Sequence, residues 1–201
     1  MSDTYFSISK ESKGTYREKA SKFIAFAFPV STEEEIRIKL QMIRKEYHDA
    51  NHHCFAYRLD QQGSLYRAFD DGEPSGSAGK PILGQILSMN LSDVLVIVIR
   101  YFGGTKLGIP GLINAYRTAT RQALEEATVI QKYIEVKYFV RFSFASLDKI
   151  LKILKNPQIK IHEKKIDQEC AFTFSVREGV KETTIERIKN IPGTFILQHE
   201  H

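Results

Sequence analysis

Long apolar runs are missing from this chain of 201 residues. The longest, VLVIVI at 94–99, is far too short to cross a bilayer, so no membrane-spanning helix is expected. The start, MSDTYFSISKES, lacks the basic-then-apolar layout of a secretory leader. Cysteine is scarce: Cys54 and Cys170 lie far apart and form neither a disulfide framework nor a zinc motif. Tryptophan is absent, and there is no internal repeat, low-complexity tract or flexible linker. These absences point to a cytoplasmic globular protein in a reducing compartment, long enough for one or two domains with real cores.

Positive charge is in modest excess, and it is uneven. Residues 1–130 hold 16 Lys+Arg and 15 Asp+Glu, a net +1, whereas residues 131–201 hold 13 and 9, a net +4. A polyanion would therefore feel the second part more.

The pattern divides the chain at about residue 130. In 131–201, IEVKYFVRFSF alternates apolar residues from Ile134 to Phe144, and SLDKILKILKN repeats Leu147, Ile150, Leu151 and Leu154 at helical spacing. Two strands (IKIHEKKI and AFTFSVRE), a helix (VKETTIERIKNI) and a last strand (TFILQHE) complete the order βαββαβ of a ferredoxin-like unit. In 1–130, KFIAFAFPV is apolar on both faces and reads as a central strand. The segment 31–49 opens on Ser31 and Thr32 with Glu33 to Glu35 behind them, the signature of a capped helix burying Ile36, Leu40, Ile43 and Tyr47. HHCFAYRL and SLYRAF form a hairpin. The fold class is α+β in two domains.

Two glycine-rich segments hold the chemistry-bearing residues: DDGEPSGSAGKPIL (70–83) and RYFGGTKLGIPGL (100–112). Each leads into a helix through a proline, so Pro81 and Pro110 are expected at the first helical position, with Lys80 and Ile109 extended before them. The amides of Ile82–Leu83 and Gly111–Leu112 would then face outward as an anion-attracting helix start, helped by Lys80, Arg100 and Lys106. Neither segment carries a P-loop or a dinucleotide fingerprint. Asp70, Asp71 and Glu73 balance the three cations, so a phosphate would need Mg²⁺ to bridge it to the acids. One reading is therefore a Mg²⁺-dependent phosphate or nucleotide site, another a ligand or partner surface, and a third a protein–protein adaptor in which the loops are purely architectural, acids and bases satisfying one another. Ser75 and Ser77 flank glycine without a nucleophile motif. His52 and Cys54 share a strand face but make only two of the ligands a zinc site needs, so no metal is assigned. Arg17, Lys19 and Lys22 read as a solvated face, with phosphate contact as the minor alternative.

In the C-terminal unit, the face opposite the helices is expected to show Lys137, Phe139, Arg141, Lys160, His162, Lys164, Thr173, Ser175 and Arg177. Phe139 is nearly alone as an aromatic and no RNP signature is present, so backbone phosphate contact or docking to an acidic partner fits better than base readout.

The paired segments DDGEPSGSAGKPIL and VIVIRYFGGTKLGIPGLINAY closely resemble the signature of the IMPACT family in its bacterial YigZ-like branch. DANHHCFAY (49–57), with His52 at the family's histidine, and SKFIAFAFPV resemble two further family segments. One departure is LGIPGL, where members usually read LGAGGL. The resemblance implies an N-terminal domain similar to domain 2 of ribosomal protein S5 and a C-terminal domain resembling the last domain of translocating elongation factors. It places Tyr101, Gly103 and Gly104 in the second signature. It also implies association with translation: eukaryotic relatives temper starvation control by competing for the activator of an initiation-factor kinase, using an extra domain expected to be absent here. The function expected is that of a cytosolic, non-enzymatic regulator binding RNA, a ribosomal particle or a translation factor, with no membrane partner and no cofactor unless Mg²⁺ serves the enzyme alternative.

Overall fold

Strand and helix periods in the sequence translate into two units in the computed structural model, which describes residues 3–60 and 62–199. One unit is Tyr5–Lys132; the other holds the described residues from Tyr133 onward together with Asp3 and Thr4.

In the first unit five strands form one antiparallel sheet: β2 (Ser12–Glu18), β3 (Ser21–Pro29), β4 (His52–Leu59), β5 (Leu65–Phe69) and β6 (Val94–Tyr101), in the order β2-β3-β6-β4-β5. Strand β6 is the middle strand and is buried from Val94 to Arg100, which is why its sequence is a continuous apolar run. A short strand β1 (Thr4–Ile8) pairs with β7 (Val129–Tyr133) apart from this sheet. Helices α2 (Gly79–Ser88) and α3 (Gly108–Glu125) pack on one face over Phe23, Ala25, Cys54, Ala56, Val96 and Val98. Helix α1 (Glu33–Glu46) packs on the other, over Ile24, Phe28, Phe55, Tyr57 and Ile97.

The start of α1 behaves as its sequence asks. Thr32 Oγ1 accepts from Glu35 N at 3.2 Å, and Glu35 reaches back to accept from Ser31 N at 2.6 Å, a reciprocal capping box. Ile36 and Ile43 are buried, while Leu40 and Tyr47 lie partly buried against the same core.

The second unit holds β8 (Glu135–Ser143), α4 (Leu147–Leu154), β9 (Ile159–Lys165), β10 (Glu169–Arg177), α5 (Lys181–Lys189) and β11 (Phe195–Gln198). Their sheet order, β11-β8-β10-β9, is the ferredoxin-like arrangement expected of βαββαβ. Phe142, Phe172, Phe174, Ile150 and Ile188 form its core.

Two expectations about helix starts need correction. Helices α2 and α3 begin at Gly79 and Gly108, so Pro81 and Pro110 are each the third residue and not the first. Lys80 and Ile109 lie inside the first turn. A proline is tolerated throughout that turn because its missing N–H has no partner in the preceding turn.

Candidate functional site

The first glycine-rich segment connects β5 to α2, and its acids are consumed locally. Ala78, before the helix, supplies no side-chain cap. Asp70 does this instead: Oδ1 accepts from Ala78 N at 3.0 Å and Gly79 N at 2.8 Å, and Oδ2 accepts from Gly76 N at 2.8 Å. Gly76 turns the chain toward that carboxylate with φ +74°, a conformation costly for other residues. Ile82 N donates to Ala78 O at 3.1 Å, so it is not the outward amide expected from the sequence. The anion that a helix start attracts is a carboxylate of the protein itself.

Burial alone would raise the Asp70 carboxyl. The three backbone N–H groups, aided by Lys80, outweigh it and hold the group below its ordinary 3.8. A depressed folded-state value makes the stabilisation complete above the ordinary aspartate range and lost as pH falls through the folded value. Asp70→Ala is accordingly expected to cost about 1–2 kcal/mol at neutral pH, as for the loss of a helix cap. In urea unfolding, the gap between this variant and the parent should close in acid, as pH falls through the lowered folded-state value. A gap that persists there would show that the carboxylate charge is not its origin.

Asp71 turns elsewhere. Its Oδ2 accepts from His53 N at 2.6 Å, and Oδ1 accepts from Arg44 Nη2 at 3.3 Å. The backbone of the segment is pinned to β4 as well: His52 Nδ1 donates to Asp71 O at 2.8 Å and Cys54 Sγ to Asp70 O at 2.9 Å. Thus His52 and Cys54 do share a face, but as clamps on the loop. Burial pushes the Cys54 thiol well above its ordinary value, which keeps it protonated and unreactive.

Glu73 goes inward. It is 8% exposed, and its Oε1 accepts from Arg100 Nη1 and from Tyr116 Oη, each at 2.7 Å. Arg100, 5% exposed, lies between the rings of Phe23 and Phe102, at 5.5 and 5.4 Å. Its Nε is buried without a partner. Burial, with the negative neighbours, drives the Tyr116 phenol far upward, so it remains a donor. The three acids therefore serve three different sets of donors. Among the described residues, no group of three or more His, Cys, Asp or Glu side chains could hold a metal ion.

The serines have no nucleophilic setting. Ser77 is buried and donates to Pro74 O at 2.6 Å, and Ser75 is exposed.

The second segment links β6 to α3; hydrogen bonds hold its start, and Leu107 near its end packs against the core. Phe102 N donates to Asn51 Oδ1 at 2.8 Å, and Gly103 N to Ser21 Oγ at 3.1 Å. Tyr101 donates to Asp49 Oδ1 at 2.8 Å, and that hydrogen bond, with burial, pushes its phenol up to about 12. Gly103 lies directly on the backbone of Ala20 and Ser21, leaving no room for a Cβ. Beyond it, Gly104 takes a positive φ, and Phe102, Lys106 and Ile109 are exposed, as is Lys80 on the first segment.

On the C-terminal sheet, register decides which residues share a face. Lys137, Phe139 and Arg141 lie opposite Ser175, Thr173 and Ala171, as expected. A β-bulge between Thr173 and Phe174 changes the partner strand: Lys160 faces Ser175, but beyond the bulge Glu163 faces Thr173 and Lys164 faces the core residue Phe172. Lys164 is therefore on the helix side and Glu163 on the open side, which reverses a charge on the expected basic face. The remaining cations are largely paired. Arg177 holds Asp3 with Nη2–Oδ1 at 2.9 Å, Lys160 meets Glu135 at 2.6 Å, and Arg141 meets Glu169 at 3.5 Å. Phe139 is not alone either. Strand β11 places Leu197 opposite Phe139 and Phe195 opposite Arg141, which stacks over the Phe195 ring at 5.5 Å.

Residues missed in the sequence include Tyr116, Asn51, Ser21 and Arg44. Tyr116 falls on the apolar stripe of α3, where nothing distinguishes a core tyrosine from a donor to Glu73.

A family model described as "Impact N-terminal domain" matches residues 19–124. The IMPACT family member YvyE of Bacillus subtilis (strain 168) is 33% identical over 183 residues, covering 91% of this chain and 83% of that protein. The IMPACT family member YigZ of Escherichia coli (strain K12) is 34% identical over 138 residues, 68% of each chain. A solved structure described as a crystal structure of an hypothetical protein superposes with a TM-score of 0.78 at 24% identity, covering 100% of both chains, and shares the fold.

Proposed function

This chain belongs to the IMPACT family, and on that footing we propose that it is a non-enzymatic, translation-associated regulator that binds RNA or an RNA-bearing particle. The observation that carries the non-enzymatic reading is the fate of the loop carboxylates. Asp70 is held by three backbone amides, Asp71 by His53 N and Arg44, and Glu73 by Arg100 and Tyr116. Each of the three loop acids is thus engaged by donors of the protein itself, which argues against their holding Mg²⁺ for a phosphate. What the paired loops offer outward is a firmly seated surface with Phe102, Lys106 and Ile109 exposed.

A nucleotide site would stabilise the fold by mass action, by about 2.7 kcal/mol at a ligand concentration one hundred times Kd. We expect no rise in Tm when ATP, GTP or their diphosphates are added with Mg²⁺. A concentration-dependent rise that disappears in Asp71→Asn would replace this reading with the enzymatic one.

The C-terminal sheet favours a second kind of contact. Its open face combines Phe139, Phe195 and Leu197 with cations already paired to acids, a surface better matched to a translation-factor protein than to a polyanion. Pull-down with the full chain and with Phe195→Ser/Leu197→Ser separates the two contacts: RNA affinity should be unchanged in that variant while capture of a protein partner falls.

A further inference from the structure

The sheet of the first unit has a strip that the loops do not explain. Along β2 and β3, cross-strand partners share a face: Lys13 with Phe26, Thr15 with Ile24 and Arg17 with Lys22. Ile24 and Phe28 belong to the core under α1 and Phe26 packs against it, so these pairs lie on the α1 side. No β2 side chain joins that core, which leaves the β2 part of the face uncovered. The β2 acid Glu18 pairs with Ser21 on the opposite face.

The strip is cationic, and two of its lysines lie over rings that belong to the core under α1. Lys13 Nζ lies 4.9 Å from the centre of the Phe26 ring, and Lys39 of α1 reaches the Phe28 ring at 4.9 Å. Lys22 is opposite Tyr101 on β6, whose phenol engages Asp49. Among the described residues, Lys13, Arg17, Lys22 and Lys39 have no carboxylate within ion-pair distance. Arg17 and Lys22 are directly opposite across two strands, an arrangement that repels and is relieved by an anion between or above them. Lys13 and Arg17 are four residues apart, about 13 Å at strand rise. At the Lys22 end the strip runs into the second glycine-rich loop, because Gly103 lies on the backbone of Ala20 and Ser21.

We propose that single-stranded RNA binds along this strip, its phosphates meeting Lys13, Arg17, Lys22 and Lys39. A row of cations without carboxylate partners along an exposed edge strand can track the phosphates of a flexible single strand. The inference rests on the RNA reading above and gives it a surface, one different from the basic face expected of the C-terminal sheet.

The test is fluorescence anisotropy of the full-length protein with a labelled oligouridylate, and with a duplex of equal length, across a potassium chloride series. The parent should bind the single strand more tightly than the duplex, with affinity falling steeply as salt rises. Lys13→Glu/Arg17→Glu/Lys22→Glu should lose at least about tenfold in affinity, and the slope of log K against log salt should flatten by about 2, three contacts at roughly 0.7 each. Lys137→Glu/Arg141→Glu should bind as the parent does. Arg17→Glu alone keeps the result apart from misfolding: it gains an opposite-charge partner in Lys22, so Tm should hold or rise while affinity falls. A parent that binds and a triple variant that binds equally well would overturn the strip and leave the RNA reading standing. A parent that binds no RNA at low salt would overturn both. Poly-glutamate competing as well as oligouridylate would overturn RNA as the occupant in favour of an acidic protein.

Discussion

Replacing Glu73 with alanine is expected to destabilise the first unit by about 3–5 kcal/mol, the range for removing one member of a buried ion pair. At roughly 2–4 °C per kcal/mol for chains of this size, Tm should fall by roughly 6–20 °C. The loss follows from what remains. Arg100 would keep its charge while being 5% exposed, with Nε already lacking a partner, and Tyr116 would lose its acceptor. Glu73→Gln keeps an oxygen for both donors and removes only the charge, so its loss should be clearly smaller. Glu73→Leu combined with Arg100→Met should recover much of the stability, since an apolar pair of similar volume removes the desolvation cost as well as the attraction. Thermal and urea unfolding of the four proteins decide the matter. An alanine variant within about 1 kcal/mol of the parent would mean that water reaches Arg100 and that the pair is not the clasp between the first loop, β6 and α3 described above.

Gly103→Ala is expected to have the largest effect on the second loop. A Cβ there would overlap the Ala20 carbonyl carbon and Ser21 N, with the Ala20 oxygen at 2.5 Å. These are backbone atoms of a two-residue turn in which Lys19 and Ala20 both take positive φ, at 45° and 63°, so the turn has little freedom to move aside. The loop must lift, breaking the Gly103 N bond to Ser21 Oγ. Overpacking of this kind costs about 1–3 kcal/mol. The larger consequence is positional: the lifted loop disturbs the turn before Lys22, at one end of the cationic strip, and RNA affinity should drop at least about tenfold while the C-terminal unit is untouched. Amide hydrogen exchange across residues 19–22 and 101–107 would report the lifting directly. Protection unchanged in both segments would contradict it.

Much of this architecture is legible in the residues because it depends on local periods. The alternation of 134–144, the capping box at Ser31 and Thr32 and the pairing of HHCFAYRL with SLYRAF each act within a few residues and become the elements expected, except that Phe144 leaves its strand for a short 3-10 turn and is exposed. The misplaced features depend on partners distant in sequence. Pro81 and Pro110 mark a first turn but not which residue of it, because what decides the start of α2 is a carboxylate eight and nine residues upstream. Lys164 changes sides through a bulge specified by two strands together, and alternation within one strand carries no trace of it. The destinations of Asp70, Asp71 and Glu73 are set by Gly79, His53 and Arg100, which come from three other elements. Equal counts of acids and bases in the two loops are compatible with a ligand site and with internal pairing alike. Only geometry distinguishes them.

The contact between Asp3 and Arg177 has a consequence in time. These residues belong to the same unit yet stand 174 positions apart. At about 5–20 residues per second, the partner of Asp3 leaves the ribosome roughly 10–35 s after Asp3 does. Throughout that interval the five-stranded sheet can complete itself, since all its strands lie between Ser12 and Tyr101. The ferredoxin-like unit cannot: Asp3 and the residues that hold it are separated in the chain by the whole of the other unit. Birth order and assembly order therefore differ for this unit, and a binding partner that captures the segment around Asp3 as it emerges would delay the completion of this unit.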